Sequence, residues 1–415
     1  VSMATTHMSG NGDRLWAYSL FGAVLSAAGL PIYIFAPKFF ADTYGVSLAT
    51  LGAILFALRL VDVVQDPVLG WVVERLGSWR KHVAAIGAGI LGLAMIALFA
   101  VVPPGSPVIW FTFSVTLLFS AFSMLTILFY AQGVAKADTL RNGHMRLAGW
   151  RETGALLGVC AAAMAPTLLS STMEAPYAAF AFGFAVMAII ASAAMASEWR
   201  PVEAEKPTPI RTILSDKIAR RLLILALVNA TPLAVSSTLF LFFVESRLNA
   251  PGWEGGLLVL FFLSAAISAP VWSTLSDKYG ARPVLLSAMV VAILSFAFTA
   301  TLGAGDVTFF AIICIISGAT IGADLVILPA MFARRMGQIS PFGAQGFGLW
   351  SFTSKFTLAF AAVVLLPLLD VSGFVSGGQN TAQSLTLLTI LYAGVPCLLK
   401  TVSIAVLATT PIQEI

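Results

Sequence analysis

Hydrophobic residues run along this chain in long stretches separated by short polar turns, and the stretches are too long for strands. Twelve of them have about the 20 residues that a helix needs to cross a hydrocarbon layer about 30 Å thick. Six lie in the first half: Leu15–Pro37, Leu48–Leu76, Val83–Val102, Pro107–Ala135, Leu147–Leu169 and Tyr177–Ala196. Six follow in the second: Leu222–Val244, Gly255–Leu275, Val284–Leu302, Val307–Phe332, Phe347–Leu369 and Leu385–Thr409. A backbone in lipid must satisfy its own N–H and C=O groups, so each stretch is expected to be a helix. Between the two sets, Glu198–Arg221 is charged and carries Pro201, Pro207 and Pro209, the composition of a linker. Its end, Ile213–Arg221, is expected to form a short surface helix. The pattern predicts a tail over 1–13, a six-helix bundle over 14–197, a linker over 198–221, a second six-helix bundle over 222–410 and a tail over 411–415.

The halves also repeat each other. Pro67-Val-Leu-Gly-Trp-Val-Val-Glu74-Arg75-Leu-Gly77 aligns with Pro270-Val-Trp-Ser-Thr-Leu-Ser-Asp277-Lys278-Tyr-Gly280, each running from the second span of its half into a basic turn. In such a turn the acid can meet the positive N-terminal end of a neighbouring helix, and the glycine permits a tight reversal. Two six-span halves around a charged linker are the layout of carriers whose site lies between pseudo-symmetric bundles.

Composition excludes a soluble reading of these helices. Hydrophobic residues make up 59% of the chain and charged residues 10%, against about 25% charged in a soluble domain, and mean hydropathy is +0.94. The net charge of +4 follows from topology. Basic residues gather in alternate connections, among them Arg75, Arg80, Lys81, Arg141, Arg200, Lys206, Arg334 and Arg335, while the opposite connections hold only Lys38 and Arg247. That asymmetry predicts both termini in the cytoplasm, and no nucleic-acid partner is needed to explain it. Cys160, Cys314 and Cys397 lie far apart within predicted spans, so no disulfide framework, metal cluster or cofactor is expected. No cleavable signal is expected either, because the first apolar run is too long for one.

Against that background the second span is unusual. Arg59, Asp62 and Asp66 are spaced i, i+3 and i+7, so one helical face carries a cation and two anions where a membrane helix ordinarily has none. A charge near the bilayer centre costs roughly 2.5–3.5 kcal/mol and usually faces a bundle interior or a water-filled path. Two carboxylates at that spacing repel when both are ionised, so the pair either keeps a proton or recruits a cation. Lys355, well inside the eleventh span and without an acid in its own helix, requires a partner from elsewhere, for which Asp62 or Asp66 is the simplest choice. Arg151 and Glu152 form a local pair. Asp324 and Lys400 stand in their spans without an evident partner, Lys400 reading as an interfacial side chain.

These residues resemble a known family. The basic turns are similar to the recurring loop motif of the major facilitator superfamily, and Arg59-x-x-Asp62-x-x-x-Asp66-Pro67 resembles the second helix of the glycoside-pentoside-hexuronide:cation symporters, the family of the melibiose carrier. The loop Phe40–Ser47, the segment Arg146-Leu-Ala-Gly-Trp150-Arg151 and the intramembrane Lys355 are similar to that family too. The resemblance implies a major facilitator fold, with Asp62 and Asp66 as the cation site and Ser123 and Gln65 as neutral oxygen donors. It also implies Lys355 and Arg59 as coupling residues and Arg151 as a substrate contact. Thr126, Tyr130, Trp150, Asp324 and Lys355 itself complete the candidate substrate residues. The sugar carriers of that family place carboxylates in the first and fourth helices, whereas the corresponding stretches here, around Ser26 and Thr126, have none.

The expected protein is therefore an all-α, twelve-helix secondary transporter, not an enzyme. It is expected in a bacterial inner membrane, acting as a monomer by alternating access and coupling Na⁺ or H⁺ to a small-molecule substrate. A small glycoside or related polar solute is the first candidate and an amphipathic solute such as a lysolipid the second, with a passive facilitator or membrane enzyme more remote.

Overall fold

The computed structural model describes residues 14–29, 35–137, 140, 143–170, 172–199, 209–339, 344–374 and 379–410. A helix stands at each of the twelve predicted spans. The first half holds α1 (Leu15–Ala27), α2 (Ala36–Tyr44), α3 (Leu48–Arg75), α4 (Arg80–Phe99), α5 (Pro107–Ala137), α6 (Gly143–Ser170) and α7 (Pro176–Met195). The second holds α8 (Ile210–Ser215), α9 (Lys217–Phe242), α10 (Glu254–Tyr279), α11 (Ala281–Ala297), α12 (Val307–Ile339), α13 (Ala344–Val371), α14 (Ala382–Thr389) and α15 (Val395–Ala408). Single π turns, Phe243–Arg247 and Ile390–Gly394, extend α9 and join α14 to α15. Among the described residues, eight helical stretches are long and apolar enough to cross a membrane. The tails over 1–13 and 411–415 and the basic residues Arg141, Arg200 and Lys206 lie outside the described residues, as do the side chains of Lys38 and Asp42.

Packing repeats with the sequence. In the first half α1 lies on α6 and α7, α4 on α5 and α7, and α3 on α5. In the second, α9 lies on α13 and α15, α11 on α12 and α15, and α10 on α12. Advancing by six spans turns each first-half contact into its second-half counterpart. The two main contacts between the halves, α3 with α13 and α6 with α10, exchange under the same operation. The halves are thus pseudo-symmetric bundles that meet along two crossings.

Both crossings draw tight at the end bearing the basic turns. Glu74 Oε1 accepts a hydrogen bond of 2.9 Å from the backbone N–H of Gln345 in the first turn of α13, where the helix leaves donors unpaired. On the other crossing Ser273 Oγ donates to the Met145 carbonyl at 3.0 Å. The acid of the repeated turn therefore meets a neighbouring helix start, as its position implies for Glu74. Arg80 is buried at the start of α4, within electrostatic reach of Glu74.

Two local expectations change. Phe40–Tyr44 belongs to α2 and is not loop; Gly45, with φ +67°, supplies the reversal into α3. Ser47 then caps α3, its Oγ accepting from the Thr50 N–H at 3.2 Å. The predicted surface helix over Ile213–Arg221 splits at Asp216, whose extended backbone ends α8 and caps α9 through the Ala219 N–H at 2.7 Å. The same carboxylate takes two bonds from Arg335, at 3.1 and 2.5 Å, tying α12 to the start of the second half.

The Arg335 guanidinium holds the Asp216 carboxyl below its ordinary pKa. Asp216 therefore binds a proton more readily unfolded than folded, and its contribution to stability is complete above the unfolded value near ~4. That contribution disappears as pH falls through the depressed folded value. Arg335→Gln should cost about 1 kcal/mol at neutral pH, and the difference from wild type should close as pH drops below that value. Thermal unfolding of both proteins across an acid series checks this.

Candidate functional site

Two glycines set how closely the halves approach beside the charged face of α3. A Cβ on Gly348 would lie 2.8 Å from the Asp66 carbonyl oxygen, and one on Gly70 would lie 2.9 Å from that of Ala344. Only glycine permits backbones so near, as in membrane helix pairs generally. The α3 and α13 helices are antiparallel here, so one turn beyond Gly348 Ser351 faces Asp66, and a further turn brings Lys355 between the two acids.

The Lys355 ammonium is held on three sides. It lies 3.0 and 2.9 Å from the two Asp66 oxygens, 3.4 Å from Asp62 Oδ2 and 2.6 Å from Ser123 Oγ of α5. Ser351 Oγ donates to Asp66 at 2.6 Å. Arg59 adds a longer contact to Asp62, 3.5 Å, and lies against the Phe119 ring at 5.4 Å. Asp62 is 1%, Asp66 0% and Lys355 6% exposed. Two cations and two anions leave the cluster neutral, which is what makes four charges tolerable inside a bundle. Gln65 is half-buried and makes no hydrogen bond with the cluster among the described residues, because it is turned about 100° around the helix from Asp66.

A second neutral pair stands on α6. Arg151 Nε donates to Glu152 Oε1 at 2.7 Å, Tyr130 Oη donates to the same oxygen at 3.0 Å, and the guanidinium lies 3.8 Å from the Tyr130 ring centre. Arg151 Nη2 is buried without a hydrogen-bond partner among the described residues. The neighbouring Trp150 faces outward and is 47% exposed, as a one-residue step around a helix requires when Arg151 faces inward.

A third pair lies in the second half and joins residues that show no local partner in sequence. Lys400 of α15, 6% exposed, is hydrogen-bonded to Asp324 Oδ2 of α12 and donates to Asn229 Oδ1 of α9 at 2.7 Å. Lys400 is thus a core residue rather than an interfacial one: the acid it needs is 76 positions away in sequence.

The three clusters stand around one cavity of about 460 Å³ between the halves. Arg59, Thr126, Tyr130 and Glu152 of the first half line it, together with Asn229, Ser237, Asp324, Ser351 and Lys355 of the second, whereas Arg151 does not. Phe122, Ile127, Leu233, Leu325, Leu328, Phe347 and Trp350 make most of the rest apolar. Thr126 Oγ1 is buried without a partner among the described residues. Asn229 and Ser351 were missed as candidates; each is a polar residue in an apolar run, and Ser351 stands four residues before Lys355 on the same face. Among the described residues no group of three or more His, Cys, Asp or Glu side chains is placed to hold a metal, so a cation here would rest on two carboxylates and neutral oxygens.

Twelve helical spans in two pseudo-symmetric halves, with buried charges around a cavity between them, are the architecture of a multi-pass membrane carrier. The chain belongs to the MFS/sugar transport protein family, whose profile matches residues 15–414. By fold it is similar to a bacterial homologue of the iron transporter ferroportin in an outward-facing state, with TM-score 0.69 and 15% identity over 94% of this chain and 99% of that one. It is similar also to the human organic anion transporter MFSD10 (TETRAN), with TM-score 0.67 and 14% identity over 96% and 100%. No curated protein matches by sequence.

Removing one member of a buried ion cluster costs about 3–5 kcal/mol because a charge is left unpaired. Lys355→Met alone should therefore lower the unfolding midpoint sharply, while Asp66→Asn combined with Lys355→Met should recover most of the loss. Midpoints for the two single variants and the double variant form the cycle that checks it. Equal stability of Lys355→Met and wild type would mean that water reaches the cluster.

Proposed function

We propose that this transporter is a cation-coupled symporter working by alternating access, in which the ion and Lys355 compete for one place. The observation that carries the reading is the setting of the ammonium. Three carboxylate oxygens and a serine hydroxyl surround Lys355 Nζ within 3.4 Å, a donor set that suits a monovalent cation. A Na⁺ ion would take both carboxylates and displace the ammonium; a proton would neutralise one carboxylate and loosen it. Either event disturbs the crossing of α3 and α13, whose far end carries the contact between Glu74 and Gln345. Ion occupancy and closure of the halves are in this way linked through one helix pair.

The sequence resemblance to the glycoside-pentoside-hexuronide:cation symporters supports this assignment of Asp62 and Asp66, with Arg59 as a supporting coupling residue. In this reading the central cavity takes the substrate, with Thr126, Tyr130, Glu152 and Asp324 as its polar contacts and Arg151 held behind Glu152 and Tyr130. The preferred cargo is a small glycoside or related polar solute. The apolar lining, together with the absence of a carboxylate near Ser26 and Thr126, favours as second reading an amphipathic solute such as a lysolipid. The positive-inside pattern supports cytoplasmic termini, with the basic-turn end, drawn tight here, on the cytoplasmic face of a bacterial inner membrane; the protein is proposed to act as a monomer.

A ligand that binds only the folded state raises the unfolding midpoint by mass action. NaCl or LiCl should raise it relative to choline chloride at matched ionic strength, and Asp62→Asn or Asp66→Asn should abolish the increase. A pH-dependent midpoint flattened by the same substitutions, without a metal-ion effect, would identify H⁺ as the coupling ion. Unimpaired gradient-driven accumulation of solute in Asp66→Asn would overturn the coupling assignment.

A further inference from the structure

The third charged cluster differs from the first in how it meets the cavity. Asp324 and Asn229 line the central cavity of about 460 Å³ and also a smaller one of about 80 Å³ inside the second half, whereas Lys400 lines only the smaller one. Lys400 therefore stands behind the cavity wall and the other two form part of it. Asp324 Oδ2 is engaged by Lys400, while Asp324 Oδ1 is buried without a hydrogen-bond partner among the described residues. Asn229 gives its Oδ1 to Lys400, so the amide N–H₂ is the group it retains for the cavity.

We propose that Asp324 and Asn229 form a hydroxyl-recognition subsite on the second-half wall of the substrate cavity, held in position from behind by Lys400. The proposal rests on the reading of that cavity as the substrate site. A buried carboxylate oxygen left unpaired carries the cost of its lost hydration, so a donor from the substrate is favoured there. Because Lys400 already neutralises Asp324, a second cation would leave a net positive charge in a buried site; a neutral donor would not. Beside that acceptor, the Asn229 amide donates. An adjacent acceptor and donor suit a group that does both, and a hydroxyl of an uncharged glycoside is such a group. An ammonium headgroup uses only the acceptor.

The first half presents Thr126, Tyr130 and Glu152 to the same cavity. A substrate bridging the cavity is thus bound by hydroxyls at one end in the second half, at positions where sequence shows only an isolated acid. Lys400 is a positioning residue: it does not line the central cavity, and it acts by fixing which oxygen of Asp324 and which end of Asn229 face it.

The test uses the full chain purified in a detergent without a sugar headgroup. Unfolding midpoints are measured with methyl β-D-glucopyranoside and methyl α-D-galactopyranoside as neutral hydroxyl probes and tetramethylammonium chloride as the ammonium probe. At least one glycoside should raise the wild-type midpoint and tetramethylammonium should not. The response should vanish in Asp324→Asn combined with Lys400→Met, which removes both charges so that neither is left unpaired. It should vanish also in Asn229→Leu, which keeps the ion pair, and persist in Lys400→Arg. No response to either glycoside, a response that survives in the charge-free double variant or in Asn229→Leu, or a response to tetramethylammonium alone would overturn the proposal. The NaCl response is read on the same preparations: its absence beside an intact glycoside response would remove the coupling assignment at Asp62 and Asp66 and leave the subsite standing.

Discussion

An ammonium group cannot remain unpaired where water is scarce, and the arrangement of this protein around Lys355 follows from that constraint. Lys355 projects from α13, while the acids that satisfy it project from α3, in the other half of the molecule. The bundle halves are therefore bound at the point where their charges must neutralise each other, and Gly70 and Gly348 let the backbones come near enough for short side chains to do so. Ser123 and Ser351 complete the shell with hydroxyls, which adapt as donor or acceptor without adding charge. The energetic consequence is a contact that is strong only while intact, because a single missing partner leaves the rest exposed to the full cost of desolvation.

The other two clusters follow the same rule at different depth. Arg151 neutralises Glu152 on its own helix, and Tyr130 shares the acceptor, so this pair can form wholly within the first half. Asp324 and Lys400 belong wholly to the second. Of the three clusters, the Lys355 one alone joins side chains from both halves, while each of the other two is contained in a single bundle. The cavity between them is lined mostly by apolar side chains, and both halves contribute polar groups to it.

Much of this was legible in the sequence, for identifiable reasons. Hydrocarbon thickness fixes the length of an apolar run, so most span ends could be read closely, but the first predicted span ends inside α2 and α12 runs past Phe332 to Ile339. Arg59, Asp62 and Asp66 announced a buried face because charges in such a run need an explanation, and Lys355 needed an acid from elsewhere. What sequence could not supply was distance across the fold. Lys400 and Asp324 each looked solitary because their pairing depends on how α12 and α15 pack. Trp150 and Arg151 adjoin in sequence, yet helical rotation turns one outward and the other inward. Phe40–Tyr44 looked like loop because it is polar for its neighbourhood, although the chain stays helical until the left-handed turn at Gly45.

A tethered ammonium among two acids also has an electrical consequence. With Lys355 and Arg59 set against Asp62 and Asp66, the ion-free cluster carries no net charge. In the proposed alternating-access cycle the membrane potential, worth about 2.3 kcal/mol per elementary charge per 100 mV, then has no net charge to act on at this site while the empty carrier reorients. Under the proposed cycle the potential works on the ion-loaded form alone. In that proposed cycle the lysine side chain makes the return journey indifferent to voltage.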